Sequence, residues 1–254
     1  MIRVLRTGLR IHLLQLLRSP FDMVGMLVWP IVFASIAYLL LGEQSGGKTL
    51  FGASLGAAVM IMWSWVIVGA GFALDNQRQM GTLELLVGSP RPLILTLSPI
   101  MIASAIFGIY GLLLTILWGR VAFDVPLAIE NWPAFVVAVA GCVLAIGTLG
   151  LIAASTFVLY RAAFYLGITA QYPVYIACGL IVPFAVLPVW IEPLSWLLGP
   201  TWGYRALKEA AEGTTPWPDI GMCLALSLIY VLIAIPCLAL FEHLARARAT
   251  LKLA

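Results

Sequence analysis

Charge is what this chain has least of. Asp, Glu, Lys and Arg supply 10% of its 254 residues, where a soluble domain carries about a quarter. A soluble fold of this length needs far more charge on its surface, which excludes a soluble enzyme, a nucleic-acid binder and a disordered chain. Histidine is scarcer still, with His12 and His243 the two present. No H-E-x-x-H string, paired intramembrane carboxylates or Cys/His cluster points to a hydrolase. The four cysteines, Cys142, Cys178, Cys223 and Cys237, form no C-x-x-C pair and lie inside apolar runs. They read as small buried hydrophobes and say little about redox compartment. A cleavable signal peptide is not expected either, because Arg3, Arg6, Arg10 and Arg18 leave the first twenty residues without a charge-free stretch before a cleavage site.

What remains is hydrophobic: 63% of the chain. A membrane-crossing helix needs about 20 mostly apolar residues, and six runs qualify: Met23–Leu41, Gly52–Leu74, Pro99–Trp118, Ala134–Leu159, Leu166–Leu187 and Ile220–Phe241. None alternates apolar with polar, as barrel strands do, and a backbone in lipid must satisfy its own hydrogen bonds. The expected fold is all-α and polytopic, a single membrane domain over residues 1–254 with six transmembrane helices. Asp75, Arg120, Arg161 and Glu242 stand at the ends of these runs and no Asp, Glu, Lys or Arg within them. Ion-coupled carriers use a charged relay near the midplane. Proton or sodium coupling is therefore not expected, and any uphill transport draws its energy elsewhere.

With the N-terminus inside, Arg3, Arg6, Arg10, Arg18, Arg78, Arg91, Arg161, Arg246, Arg248 and Lys252 fall on the inner side. Lys48, Arg120, Arg205 and Lys208 fall on the other. This bias places both termini in the cytoplasm of a multi-pass inner or plasma membrane protein. Before the first span, residues 1–20 form an amphipathic interface helix. Arg3, Arg6, Arg10 and Arg18 gather on about a third of its circumference, suited to lipid headgroups along the inner leaflet. His12 sits on its apolar side.

Two connections stand out. The inner one, residues 75–98, holds Thr82 as a helix cap and Glu84 in the first turn that follows. Leu83, Leu85, Leu86 and Val87 supply an apolar surface, and Pro90 and Pro92 stop it. It reads as a short amphipathic helix parallel to the membrane, either docking a soluble partner or resting on the bilayer. The outer one, residues 188–219, carries Pro188, Pro193, Pro200, Pro216 and Pro218 with Trp190, Trp196, Trp202 and Trp217. Re-entrant or interfacial helices fit it, with Arg205–Glu212 as the outermost helix and Lys208–Glu212 and Arg205–Glu209 as weak i,i+4 pairs. It is an outer gate centred on Pro188, Pro193, Pro200 and Trp202, or a cap on the bundle.

Two motif strings are rejected. Gly42-Glu43-Gln44-Ser45-Gly46-Gly47-Lys48-Thr49 spells a phosphate-binding loop but joins two spans on the outer side, where that loop requires a preceding strand. Gly52-Ala53-Ser54-Leu55-Gly56 spells a nucleophile elbow, but both histidines lie near the opposite face.

The segment Arg78-Gln79-Met80-Gly81-Thr82-Leu83-Glu84-Leu85-Leu86, followed by Ser89-Pro90, resembles the connector signature of permease subunits of type 2 ABC exporters, the class that moves drugs, lipids and polysaccharides. Gln79 replaces an acidic residue there. The stretch Leu187-Pro188…Pro193-Leu194…Pro200-Thr201-Trp202 is similar to that family's motif before the last span. The resemblance implies a membrane permease, not an enzyme, that binds no cofactor itself. Two copies of a cytoplasmic ABC ATPase would carry ATP and Mg, and a second permease copy would complete a homodimer or heterodimer in membrane lipid, without nucleic acid. It implies ATPase coupling through Arg78, Gln79, Gly81, Thr82, Glu84 and Leu86. It further implies a cargo path along spans one, two and five, near Trp63, Trp65, Phe72, Tyr172 and Tyr175, whose other reading is plain packing. The alternatives are a non-transporting receptor, resistance or assembly protein that binds an ATPase, and a lipid-modifying membrane enzyme.

Overall fold

The computed structural model describes residues 2–18, 20–41, 47–81, 94–159, 161–181 and 188–248. Among the described residues every regular element is a helix. In chain order these are α1 (Ile2–Arg18), α2 (Pro20–Leu41), α3 (Gly47–Gln79), α4 (Ile94–Phe123), α5 (Trp132–Leu159) and α6 (Arg161–Ala177). A 3-10 turn at Val189–Ile191 then leads into α7 (Glu192–Ser195), α8 (Gly199–Glu212) and α9 (Trp217–Arg248). Pro30, Pro99, Pro173 and Pro236 lie inside α2, α4, α6 and α9, a placement that packed membrane helices tolerate better than soluble ones.

Among the described residues four helices are long and apolar enough to cross a membrane: Thr49–Gln79, Leu97–Phe123, Trp132–Phe157 and Trp217–Leu240. Met23–Leu39 within α2 is a shorter apolar helix. The fifth expected span, Leu166–Leu187, is not one continuous helix. Gly179 adopts a left-handed φ of +70°; its N–H donates to Ile176 O at 3.0 Å, and Leu180 N–H donates to Tyr175 O at 3.1 Å. That pairing is a Schellman stop, and it ends α6 at Ala177. Residues 182–187 lie outside the described residues. The molecule is a multi-pass helical membrane protein.

The bundle is built around α3, which packs against α2, α4, α5, α6 and α8. Its spanning window is 71% buried against 28% for α9, which makes α3 the axis and α9 a peripheral helix. Without a hydrophobic drive in lipid, helices associate by close backbone approach at small residues. A Cβ on Gly108 of α4 would lie 3.2 Å from Met62 Cα on α3. Gly111 of α4 faces Ile61 in the same way, and Gly150 of α5 faces Val66. The exposed faces of α9 (Leu224, Leu228, Leu232, Ile235) present aliphatic surface where lipid tails would lie.

Candidate functional site

The polar end of α3 begins the connector at residues 75–98. Gln79 is exposed and its Nε2 donates to Asp75 Oδ2 at 2.7 Å, one turn back, so the amide that replaces the signature's acid is held within its own helix. Arg78 is half-buried. Its Nη2 donates to the Phe157 carbonyl at 3.3 Å, near the end of α5, where a cation also complements the helix C-terminus. Gly81 has φ +69° and its N–H donates to Arg78 O at 3.0 Å. Nothing lies within 4 Å of the place its Cβ would take. The signature glycine therefore serves the backbone: it stops α3 in the left-handed region that other residues resist. Thr82, Glu84 and Leu86 fall in residues 82–93, outside the described residues.

At the same end, α1 packs on α4 and α2. Arg6, Arg10 and Arg18 are exposed; Arg3 lies on the same helix. Gly8 sits over Pro99 of α4, where a Cβ would be 3.0 Å from Pro99 Cγ. Leu13 packs against the cluster of Met26, Ile61, Trp65 and Phe107, while Ile11, Leu14 and Leu17 remain exposed. The helix is thus docked along one edge and open to lipid along another. Burial between these helices pulls the His12 pKa below its ordinary value of 6.5.

At the opposite end, proline sets the breaks. Pro188 precedes the 3-10 turn, Pro193 opens α7, Pro200 opens α8 and Pro218 opens α9. Each stands where a missing N–H costs nothing. Pro188 and Pro193 are exposed, Pro200 is buried and Trp202 is half-buried. Trp202 Nε1 donates to Trp196 O at 2.9 Å, and its ring lies 5.1 Å beneath the Arg205 guanidinium. Arg205 reaches Asp219 across the break, Nε to Oδ2 at 3.5 Å, rather than the expected Glu209. Lys208 and Glu212 do approach, at 3.9 Å, both well exposed and so of little energetic weight.

The segment is more firmly seated than a loop. Tyr230 of α9 donates to Leu197 O at 2.6 Å and accepts from Gly199 N–H at 3.0 Å, satisfying the backbone where α7 gives way to α8. The N–H groups of Glu130 and Asn131 donate to Ala211 O and Ala210 O at 3.0 and 3.3 Å, which ties the α4–α5 connection to the end of α8. Sequence reasoning missed the seat itself. Gly199, Gly203, Ala206 and Ala210 are buried along one face of α8. Gly199 rests on Ala145 and Gly203 on Cys142 of α5. The G-x-x-x-G spacing of Gly199 and Gly203 was the available signal.

The aromatic residues expected along a path divide. Trp63, Trp65 and Tyr175 are buried, whereas Phe72 and Tyr172 are exposed. The elbow-like Ser54 donates to Leu50 O at 3.0 Å and lies 2.5 Å from Tyr38 Oη, two partners that cannot activate it as a base would. The phosphate-loop string is flanked by α2 and α3 rather than by a strand and a helix, and Gly42–Gly46 lie outside the described residues. Among the described residues no group of His, Cys, Asp and Glu is placed to hold a metal ion.

No curated protein matches the chain at a significant level. The profile of the family described as ABC-2 type transporter matches residues 3–210, from the first turn of α1 to near the end of α8. With that match over most of its length and its bundle of apolar helices, the chain belongs to the ABC-2 type transporter family, as a membrane permease domain of ABC transport.

Proposed function

We propose that this chain is one permease of an ATP-driven exporter that carries hydrophobic or amphipathic cargo such as a drug, a lipid or a glycan-lipid. Six spans with both termini in the cytoplasm put the Gly81 end inside and α8 outside. A separate cytoplasmic ABC ATPase, in two copies, binds ATP and Mg and docks on residues 75–98. A second permease copy completes the path. The observation that carries this reading is the family match over α1–α8. The build of α3 supports it physically: at 1.5 Å per residue its 33 residues measure about 50 Å, and they run from the seat of α8 to the Gly81 stop. A push at the connector therefore reaches the outer segment through one buried rod.

Arg78 anchors the lever to α5, Gly81 turns the chain toward the ATPase, and Thr82, Glu84 and Leu86 make the docking contacts. Arg3, Arg6, Arg10 and Arg18 hold α1 at the headgroups, while Pro188, Pro193, Pro200 and Trp202 shape the outer gate. Capture of the partner ATPase by the tagged chain tests the docking. Glu84→Ala is expected to lower ATPase recovery several-fold or to uncouple hydrolysis from transport. Unchanged recovery and unchanged coupling in that variant would remove the connector from the account.

A further inference from the structure

The two halves of α2, on either side of Pro30, are held in different ways. Proline has no N–H, so the carbonyl of Met26, four residues back, loses its helical partner and is crowded by the ring. Helices bend at such a position. Toward Leu41, α2 is fastened by specific contacts to its neighbours. Trp118 Nε1 of α4 donates to Ser35 Oγ at 3.0 Å, and the Tyr38 hydroxyl lies 2.5 Å from Ser54 Oγ of α3. The Tyr38 ring centroid is 4.5 Å from that of Phe123, and its hydroxyl fills the space that a Cβ on Gly119 would need. Tyr38 and Ala34 are buried in the main core.

Toward Pro20 the fastening is thin. Met23–Trp29 reads Met-Val-Gly-Met-Leu-Val-Trp, so the Trp29 indole is the one side chain there with an N–H or O–H to donate. Met26 alone in this stretch is buried, while Met23, Val24, Leu27, Val28 and Trp29 are exposed. Met26 belongs to a second, smaller cluster with Ile61 and Trp65 of α3 and Phe107 of α4, against which Leu13 of α1 packs. Phe33, just past Pro30, is partly buried and packs against both clusters. The hinge-like residue thus coincides with the boundary between two cores. In lipid, burial of an apolar side chain brings no hydrophobic gain. One flexible thioether chain therefore holds this half, where hydrogen bonds and a ring in a glycine notch hold the other.

We propose that Pro30 is a working hinge. Met23–Trp29, carrying α1 at its end, swings on and off the seat formed by Ile61, Trp65 and Phe107, while Ser35 and Tyr38 keep the rest of α2 locked to α3 and α4. The device opens one end of the seam between α2 and the α3–α4 pair and leaves the other end shut. Val24 stands six residues from Pro30, about 9 Å along the axis, so a bend of about 20° moves it about 3 Å. Distances between pairs of nitroxide labels, in the full-length chain in phosphatidylcholine nanodiscs, read that motion. A Cys237→Ser background leaves Cys142, Cys178 and Cys223, which are buried, as the native thiols. Leu228→Cys on α9 is the common reference, paired with Val24→Cys or with Leu39→Cys, all at exposed positions. The Val24 pair is expected to show two populations about 3 Å apart, and the Leu39 pair one. Pro30→Ala, which returns an N–H to the Met26 carbonyl, should merge the two populations. Met26→Ala and Phe107→Ala empty the seat from opposite sides, and each should shift the Val24 pair toward the unseated distance. An unchanged Leu39 distance shows that a variant has folded, and if one seat variant fails that check the other decides. Trp118→Phe, which removes the bond to Ser35, should broaden the Leu39 pair. A single Val24 distance in the wild type overturns the proposal, as do two populations that persist equally in Pro30→Ala. Matched broadening of both pairs would also overturn it, because α2 or α9 would then move as a whole. The hinge goes beyond the permease reading and its test uses no ATPase: a rigid α2 leaves ATP-driven transport standing, and failure of the transport reading leaves the two distances.

Discussion

Substituting Gly203 tests the seat of α8. A Cβ there would collide with Cys142 Sγ and lie 2.9 Å from Cys142 Cβ and 3.3 Å from its Cα. The Cβ of Cys142 is fixed by the α5 backbone and cannot swing aside as a side-chain tip can, so α8 must lift from α5 or rotate. Overpacking of this kind costs about 1–3 kcal/mol, and Gly203→Ala is expected to fall in that range even though alanine is the better helix former. Cys142→Gly removes both the Sγ and Cβ contacts and opens the space. In the Cys142→Gly background Gly203→Ala should therefore cost close to nothing, a coupling of about 1–2 kcal/mol. Detergent-solubilised chain unfolded reversibly, with reactivity of the buried cysteines as the readout, supplies the four stabilities of the cycle. If Gly203→Ala costs under about 0.5 kcal/mol and the cycle shows no coupling, α8 does not rest on α5 in this register.

Three further predictions follow from the same geometry. Gly81→Ala should destabilise the α3 stop by about 1 kcal/mol, with Gly81→Asn closer to wild type because Asn tolerates the left-handed region; amide exchange over 76–80 reads it, and equal effects of the two changes would refute the backbone role. Arg205→Gln leaves Asp219, 5% exposed, without its cation and should cost about 1–2 kcal/mol after allowing for the half-exposed arginine. Arg205→Gln/Asp219→Asn should recover part of that, and a double variant as weak as the sum of the singles would show that the pair does not act as one. For His12, whose pKa in the docked helix lies below 6.5, the docked state favours the neutral ring. Docking of α1 should be strongest above pH 6.5 and weaken as pH falls through the docked value. Protease sensitivity of α1 should rise on acidification and lose that dependence in His12→Gln.

Helical membrane character was legible in the sequence because it depends on composition: apolar runs in lipid have few alternatives to helix. The connector signature was legible as a string of residue types, and Gly81 was placed in it before its left-handed conformation gave it a physical reason. The features that escaped are those decided by conformation or by distant contact. Gly179 is one of 23 glycines, and only its positive φ marks it as the residue that ends α6 in the middle of an apolar run. Arg205 had a nearer acid in Glu209, four residues on, yet the break at Gly213 brings Asp219 within its reach. In residues 188–219, prolines and tryptophans drew attention to a gate, while the small residues that seat α8 against α5 carry no chemistry of their own.

The most direct test of the account is transport in sealed vesicles that contain the chain and its ABC ATPase, with a fluorescent amphiphile supplied on the ATPase side. ATP added on the ATPase side is predicted to drive the probe across the bilayer only when both proteins are present, and to fail when the ATPase is catalytically inactive. Equal movement without the ATPase, or ATP hydrolysis by the chain alone, would contradict it.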